Sequence, residues 1–123
     1  MFVISFYFRE SSLADILEGI PPTFSRQPKA KCVPVGEDVE LECRLVAIPE
    51  PDVTWFFNGK QISTEKNVVV RTDSDMHSYS SIVRISKITQ TQDGNYTVTA
   101  RNREGDASMT ITVKVNAKLE LFV

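Results

Sequence analysis

The chain has 123 residues, 41% of them hydrophobic, and its 14 basic and 16 acidic side chains leave a formal charge of −2. That length supports one continuous core and no second domain, and charge spread so evenly recruits neither nucleic acid nor anionic lipid. The longest apolar stretches are a few residues, against the roughly 20 of a membrane-spanning helix, which predicts a soluble protein with no membrane contact.

The opening MFVISFYF has the apolarity of a secretion signal, but no basic residue precedes it, and Arg9 and Glu10 cut its apolar core short. The expectation is a protein that is not secreted through this segment. In SSLADILEGI, Leu13, Ile16, Leu17 and Ile20 recur at helical spacing after serines suited to an N-cap, and Gly19, Pro21 and Pro22 close the pattern. Two readings stand: a short helical linker, or a disordered segment whose apolar face docks when a neighbouring domain is present, since short isolated helices are marginal. Residues 1–20 are assigned as this linker.

From Pro21 to Val115 the pattern changes to short alternating runs separated by turn residues, as in an antiparallel sandwich. PPTFSRQP and KCVPV read as a first strand split by a proline break, with Pro34 suited to a sheet edge, where a missing N–H harms no ladder. VELECRL turns Val39, Leu41, Cys43 and Leu45 to one face and Glu40, Glu42 and Arg44 to the other. The same period of two runs through DVTWFF (Val53, Trp55, Phe57), YSSIVRIS (Val83, Ile85), NYTVTAR (Tyr96, Val98, Ala100) and ASMTITVKV (Met109, Ile111, Val113, Val115). Asn58-Gly59 and Arg103-Glu104-Gly105 supply hairpin turns, and NVVVRT reads as a further strand on an edge. The fold class is therefore all-β, one domain over residues 21–115, followed by a tail over 116–123.

Nothing along the chain assembles catalytic chemistry. The run Asp73-Ser74-Asp75-Met76-His77 lacks the sixth-position glycine and distant bidentate glutamate of a calcium loop and reads as a solvated loop between strands. His77 is the one histidine, with no nucleophile motif near it, and no phosphate-binding loop or kinase signature occurs. The expectation is a protein that is not an enzyme and takes no cofactor, metal or small-molecule substrate. Asn95-Tyr96-Thr97 matches the N-glycosylation sequon, a three-residue pattern whose middle residue is wanted in the core. Two cysteines, Cys32 and Cys43, give less cross-linking than small secreted domains usually carry, which points to a reducing compartment.

Several of these runs together resemble a known family: PPTF opening the first strand, GEDVELEC at 36–43, IPEPDVTW at 48–55, FNGKQI directly after, and DGNYTVTARNREG at 93–105. They are similar to the I-set immunoglobulin domains of muscle giants such as titin, twitchin and projectin, and of palladin and myotilin. The resemblance covers about residues 21–115 and implies a Greek-key sandwich of two antiparallel sheets. Trp55 is then the filler between sheets, with Cys43 on the facing strand, and Asp93-Gly94-Asn95-Tyr96 the tyrosine corner. Leu41, Cys43, Ile85, Trp55, Tyr96 and Val98 are the expected core. Secreted members carry a second cysteine where this chain has Val98. The usual inter-sheet disulfide is therefore ruled out, and Cys43 is expected as a buried thiol, in keeping with the intracellular muscle subgroup. Cys32, in the split first strand, is expected to be more accessible, with weak support for a redox role.

The resemblance implies a structural module of the muscle cytoskeleton, cytoplasmic and sarcomeric, that links its neighbours and binds other proteins, and a fragment of a giant that also carries a kinase fits it. The alternative is an extracellular adhesion or receptor domain, since fold does not fix function. For the binding face, alternation turns Thr54, Phe56, Thr97, Thr99, Arg101, Thr110 and Thr112 outward on the sheet of the Trp strand. Phe56 with Arg101, Thr97 and Thr99 has the anchor-and-rim make-up of a partner patch. The bland alternative is Arg101 stacked on Phe56 as a shield over the sheet.

Overall fold

A computed structural model describes residues 19–25 and 30–117. The expected linker before Gly19 and the expected 116–123 tail from residue 118 on lie outside the described residues, while Asn116 closes β9 and belongs to the sandwich. Nine strands follow in chain order: β1 (Ile20–Phe24), β2 (Lys31–Pro34), β3 (Val39–Ile48), β4 (Asp52–Phe57), β5 (Lys60–Ile62), β6 (Val68–Asp75), β7 (Ser78–Ile85), β8 (Gly94–Asn102) and β9 (Gly105–Asn116), with a 3-10 turn over Gln90–Gln92 before β8. They form a four-stranded sheet in the order β1-β3-β7-β6 and a five-stranded sheet in the order β2-β9-β8-β4-β5.

The first strand is split between the two sheets. β1 pairs antiparallel with β3, and β2 crosses over to pair with β9. That second pairing is parallel, in register from Lys31 opposite Val113 to Pro34 opposite Asn116, so the five-stranded sheet is antiparallel except at this edge. Ile20 stands opposite Ile48 at one pole and Pro34 opposite Asn116 at the other, so the chain enters and leaves the sandwich at opposite ends.

Two sequence expectations are corrected here. Ile20 opens β1 and pairs with Ile48, so it belongs to the sandwich and not to a linker helix. Asp73, Ser74 and Asp75 lie in β6, and only Met76 and His77 make the turn to β7, with Met76 at φ 61°. Their register opposite Ser80, Tyr79 and Ser78 continues the β6–β7 ladder, which overrides the low strand propensity of aspartate.

The core follows the period of two. Along β3, Val39, Leu41, Cys43 and Leu45 are buried and the residues between them exposed. Leu41, Cys43, Trp55, Ile85, Tyr96 and Val98 are each 3% exposed or less. A large apolar side chain buried this fully stabilises by about 1.5–3 kcal/mol. Asn58 at φ 49° and Gly59 at φ 88° make the two-residue turn from β4 to β5, the geometry an Asn-Gly pair adopts at little steric cost.

Edge protection is visible on β6. The backbone of Val68 exchanges two hydrogen bonds with Glu65, and the Thr64 hydroxyl both accepts from Val70 N–H at 2.9 Å and donates to Val70 C=O at 3.2 Å. A short segment thus occupies the ladder groups that a foreign strand would need.

Candidate interaction face

The scaffold beneath the candidate face is pinned by the polar groups of three side chains, Trp55, Tyr96 and Asn102. Trp55, on β4, donates its indole N–H to Ser81 Oγ on the opposite sheet at 2.8 Å, and Ser81 Oγ also bonds Thr72 Oγ1 at 2.8 Å. A buried indole needs such a partner, since an unsatisfied N–H costs about 1–3 kcal/mol. Tyr96 donates its hydroxyl to Gln92 C=O at 2.7 Å, closing the corner that leads into β8. Burial, then the Asp93 carboxylate, pushes the Tyr96 hydroxyl up to about 12. Asn102 ties the entry pole: its amide donates to Ile20 C=O at 3.0 Å and Pro49 C=O at 2.9 Å, and its Oδ1 accepts from Glu104 N–H.

Cys43 and Ser81 stand opposite one another on β3 and β7, and Ser81 makes a backbone hydrogen bond to the thiol. Burial dominates and pushes that thiol up to about 12, so it behaves as a small hydrophobe and not as a nucleophile. Both cysteines are free, Cys43 buried and Cys32 exposed. Among the described residues, no group of three His, Cys, Asp or Glu side chains is placed to hold a metal.

The outward positions of β4, β8 and β9 form rungs across the five-stranded sheet. Phe56 lies opposite Thr97, which lies opposite Thr110; Thr54, Thr99 and Ser108 form the next rung, and Asp52, Arg101 and Asp106 the one after. Asn95 lies opposite Thr112 on the other side of the Phe56 rung. Phe56, Thr97 and Thr99 therefore come together, and all three are half-buried. Arg101 does not join them. It stands four residues along β8 from Thr97, about 13 Å at strand rise, two residues beyond Thr99.

Hydroxyl pairing makes this surface less polar than its composition. Thr97 Oγ1 bonds Thr110 Oγ1 at 2.9 Å, and Thr112 Oγ1 donates to Asn95 Oδ1 at 2.9 Å. Both bonds run along the sheet between neighbouring strands, which satisfies the hydroxyls internally. The outer face of the other sheet differs: Arg44–Glu42 (3.2 Å), Arg71–Asp73 (3.3 Å) and Arg84–Glu40 (3.5 Å) cover it with exposed ion pairs. Recesses also occur, including a cleft of about 400 Å³ where β5 approaches β6, lined by Phe57, Ile62, Val68 and Tyr96.

Residues 22–115 match the family model of the immunoglobulin I-set domain. The chain belongs to the immunoglobulin I-set family. This I-set domain is 62% identical over 109 residues to titin of Drosophila melanogaster, a match covering 87% of this chain and 1% of that protein. It is 31% identical over 100 residues to myotilin of Mus musculus, covering 80% of this chain and 19% of myotilin. The chain thus spans a small fraction of the curated relatives it matches. Among solved structures it superposes on a chimeric titin Z1Z2 carrying an exogenous decorin peptide, with a TM-score of 0.72 and 27% identity, over 82% of this chain and 100% of that one.

Sequence reasoning missed Ser81 and Asn102. Ser81 sits at an inward position of β7, and a serine between Tyr79 and Val83 in a strand of alternating apolar residues was the available signal. For Asn102 no local pattern existed, because its two carbonyl partners are 82 and 53 residues away.

Proposed function

We propose that this I-set domain is a non-catalytic structural and protein-binding module of an intracellular muscle protein, serving as mechanical spacer and scaffold in the sarcomere. The 62% identity to an insect titin carries the reading. Because the chain corresponds to so little of that protein, it fits one domain of a much longer chain, a giant that also bears a kinase included. Val98, at the position where secreted members place a cysteine, and the free Cys43 support a reducing compartment.

The topology supports the mechanical part. With the termini at opposite poles, a pull along the chain loads the β2–β9 ladder lengthwise, and its bonds from Lys31 to Pro34 must fail together. Partners are other proteins, received on the Phe56, Thr97 and Thr99 face, with Arg101 at its end. The domain uses no cofactor, nucleic acid or membrane.

Single-molecule stretching tests the spacer role, with Val33→Pro interrupting β2. A clear fall in unfolding force relative to the wild-type domain supports it, and an unchanged force contradicts it. A second reading, an extracellular adhesion or receptor domain, draws on Asn95, an exposed side chain inside a glycosylation sequon. Glycan on Asn95 of the native protein would establish that reading and overturn the first.

A further inference from the structure

We propose that the outer face of the five-stranded sheet pairs with the same face of a second copy of this chain, in an antiparallel two-fold arrangement centred on the Phe56–Thr97–Thr110 rung. The inference rests on the reading of this face as the partner surface and names its occupant.

The charges of the face carry the argument. On the other sheet, Arg44, Arg71 and Arg84 each close an ion pair within the chain. Asp106 and Lys114, both exposed on the outer side of β9, close no ion pair within 4 Å among the described residues, Asp106 standing opposite Arg101 on β8 without bonding it. They lie four residues to either side of Thr110, and the residues between them on that side, Ser108, Thr110 and Thr112, are uncharged. A two-fold axis along the Phe56 rung reverses strand direction, so Asp106 of each copy meets Lys114 of the other, and both charges are compensated twice. Aligned sheets pack with an offset of about 30°, and the four-carbon stem of lysine spans the resulting displacement.

The centre suits the same pairing. Phe56 meets Phe56 across the axis, on a rung where the Thr97 and Thr110 hydroxyls are already bonded to each other, with Thr112 bonded to Asn95 beside it, so covering these three strands no hydroxyl. At the remaining corner Arg101 meets the Asn95 end of β8 and opposes no cation. The patch, about 30 Å by 10–15 Å, is smaller than the roughly 800 Å² per partner of a stable interface. Association of single domains is therefore weak, with a Kd of about 0.1–1 mM, and gains strength when domains are repeated along a chain.

Sedimentation equilibrium of the full chain, up to about 1 mM, measures it. The wild type is expected to move from monomer towards dimer. Asp106→Lys or Lys114→Asp sets like charges together at both ends of the pair and weakens association about tenfold or more, and Asp106→Lys combined with Lys114→Asp restores it. Circular dichroism confirms that each variant is folded; Lys114→Asp should melt as wild type, whereas Asp106→Lys faces Arg101 across β8 and should melt slightly lower, so Lys114→Asp is the cleaner single swap. A wild type that stays monomeric throughout, or a double swap that fails to restore what the single swaps remove, overturns the self-pairing. In either case, a loss of sarcomeric partner binding by Phe56→Ser would keep the face as an interface for other proteins. If Phe56→Ser leaves both self-association and partner binding unchanged, the face reading itself falls.

Discussion

The indole N–H of Trp55 reaches across the core of the sandwich to Ser81 Oγ at 2.8 Å, joining two buried side chains of opposite sheets. Trp55→Ala removes the largest buried side chain and is expected to cost about 3–5 kcal/mol. Ser81→Ala, a change of one atom, leaves the indole unsatisfied and is expected to cost about 1–3 kcal/mol. Urea denaturation of both variants checks the order, and a Ser81→Ala midpoint equal to wild type would show that the bond contributes nothing.

The two thiols differ in access. Iodoacetamide applied to the native protein is expected to label Cys32 quickly and Cys43 only after unfolding, with both recovered as free thiols under non-reducing denaturation. Recovery of a linked Cys32–Cys43 pair by mass spectrometry would contradict the reducing compartment.

Alkaline stability follows from the raised thiol and phenol. Cys43 is raised from 9.0 and Tyr96 from 10.0, each to about 12, so the unfolded chain loses these protons before the folded one does. Both groups therefore contribute stability that is complete below about pH 9 and is lost as pH rises through 9 to 12. The urea midpoint should hold between pH 7 and 9 and then fall. Cys43→Ala and Tyr96→Phe should each make that fall shallower, whatever they cost at neutral pH, and an identical slope in both variants would contradict the assignment.

Asn102 joins the β8–β9 turn to the start of β1 and to the Pro49 loop through one amide. Asn102→Ala strands two carbonyls and is expected to cost about 1–3 kcal/mol. Amide hydrogen exchange should rise first in β1 and the Pro49 loop, and faster exchange spread evenly over all strands would argue against a local clamp.

Much of this was legible in the alternation of single strands. Val39 to Leu45 and Met109 to Val115 state their buried faces residue by residue, because a half-buried strand has a period of two that no helix shares. The split first strand was marked by its prolines, but its parallel pairing with β9 depends on which sheet each half joins, a property of the whole topology. Local propensity misassigned Asp73–Asp75 and Ile20, where ladder pairing with distant strands decides the conformation. The outward set around Phe56 was readable from parity. The distance of Arg101 from Phe56 was not, since it requires the register between β4 and β8.

Immunolocalisation of the native protein in muscle tests the central claim most directly. An antibody against this domain is expected to stain permeabilised fibres in striations that repeat once or twice per sarcomere, and to leave intact cells unstained. Staining of intact cell surfaces or of extracellular matrix, without striations, would contradict the intracellular muscle reading.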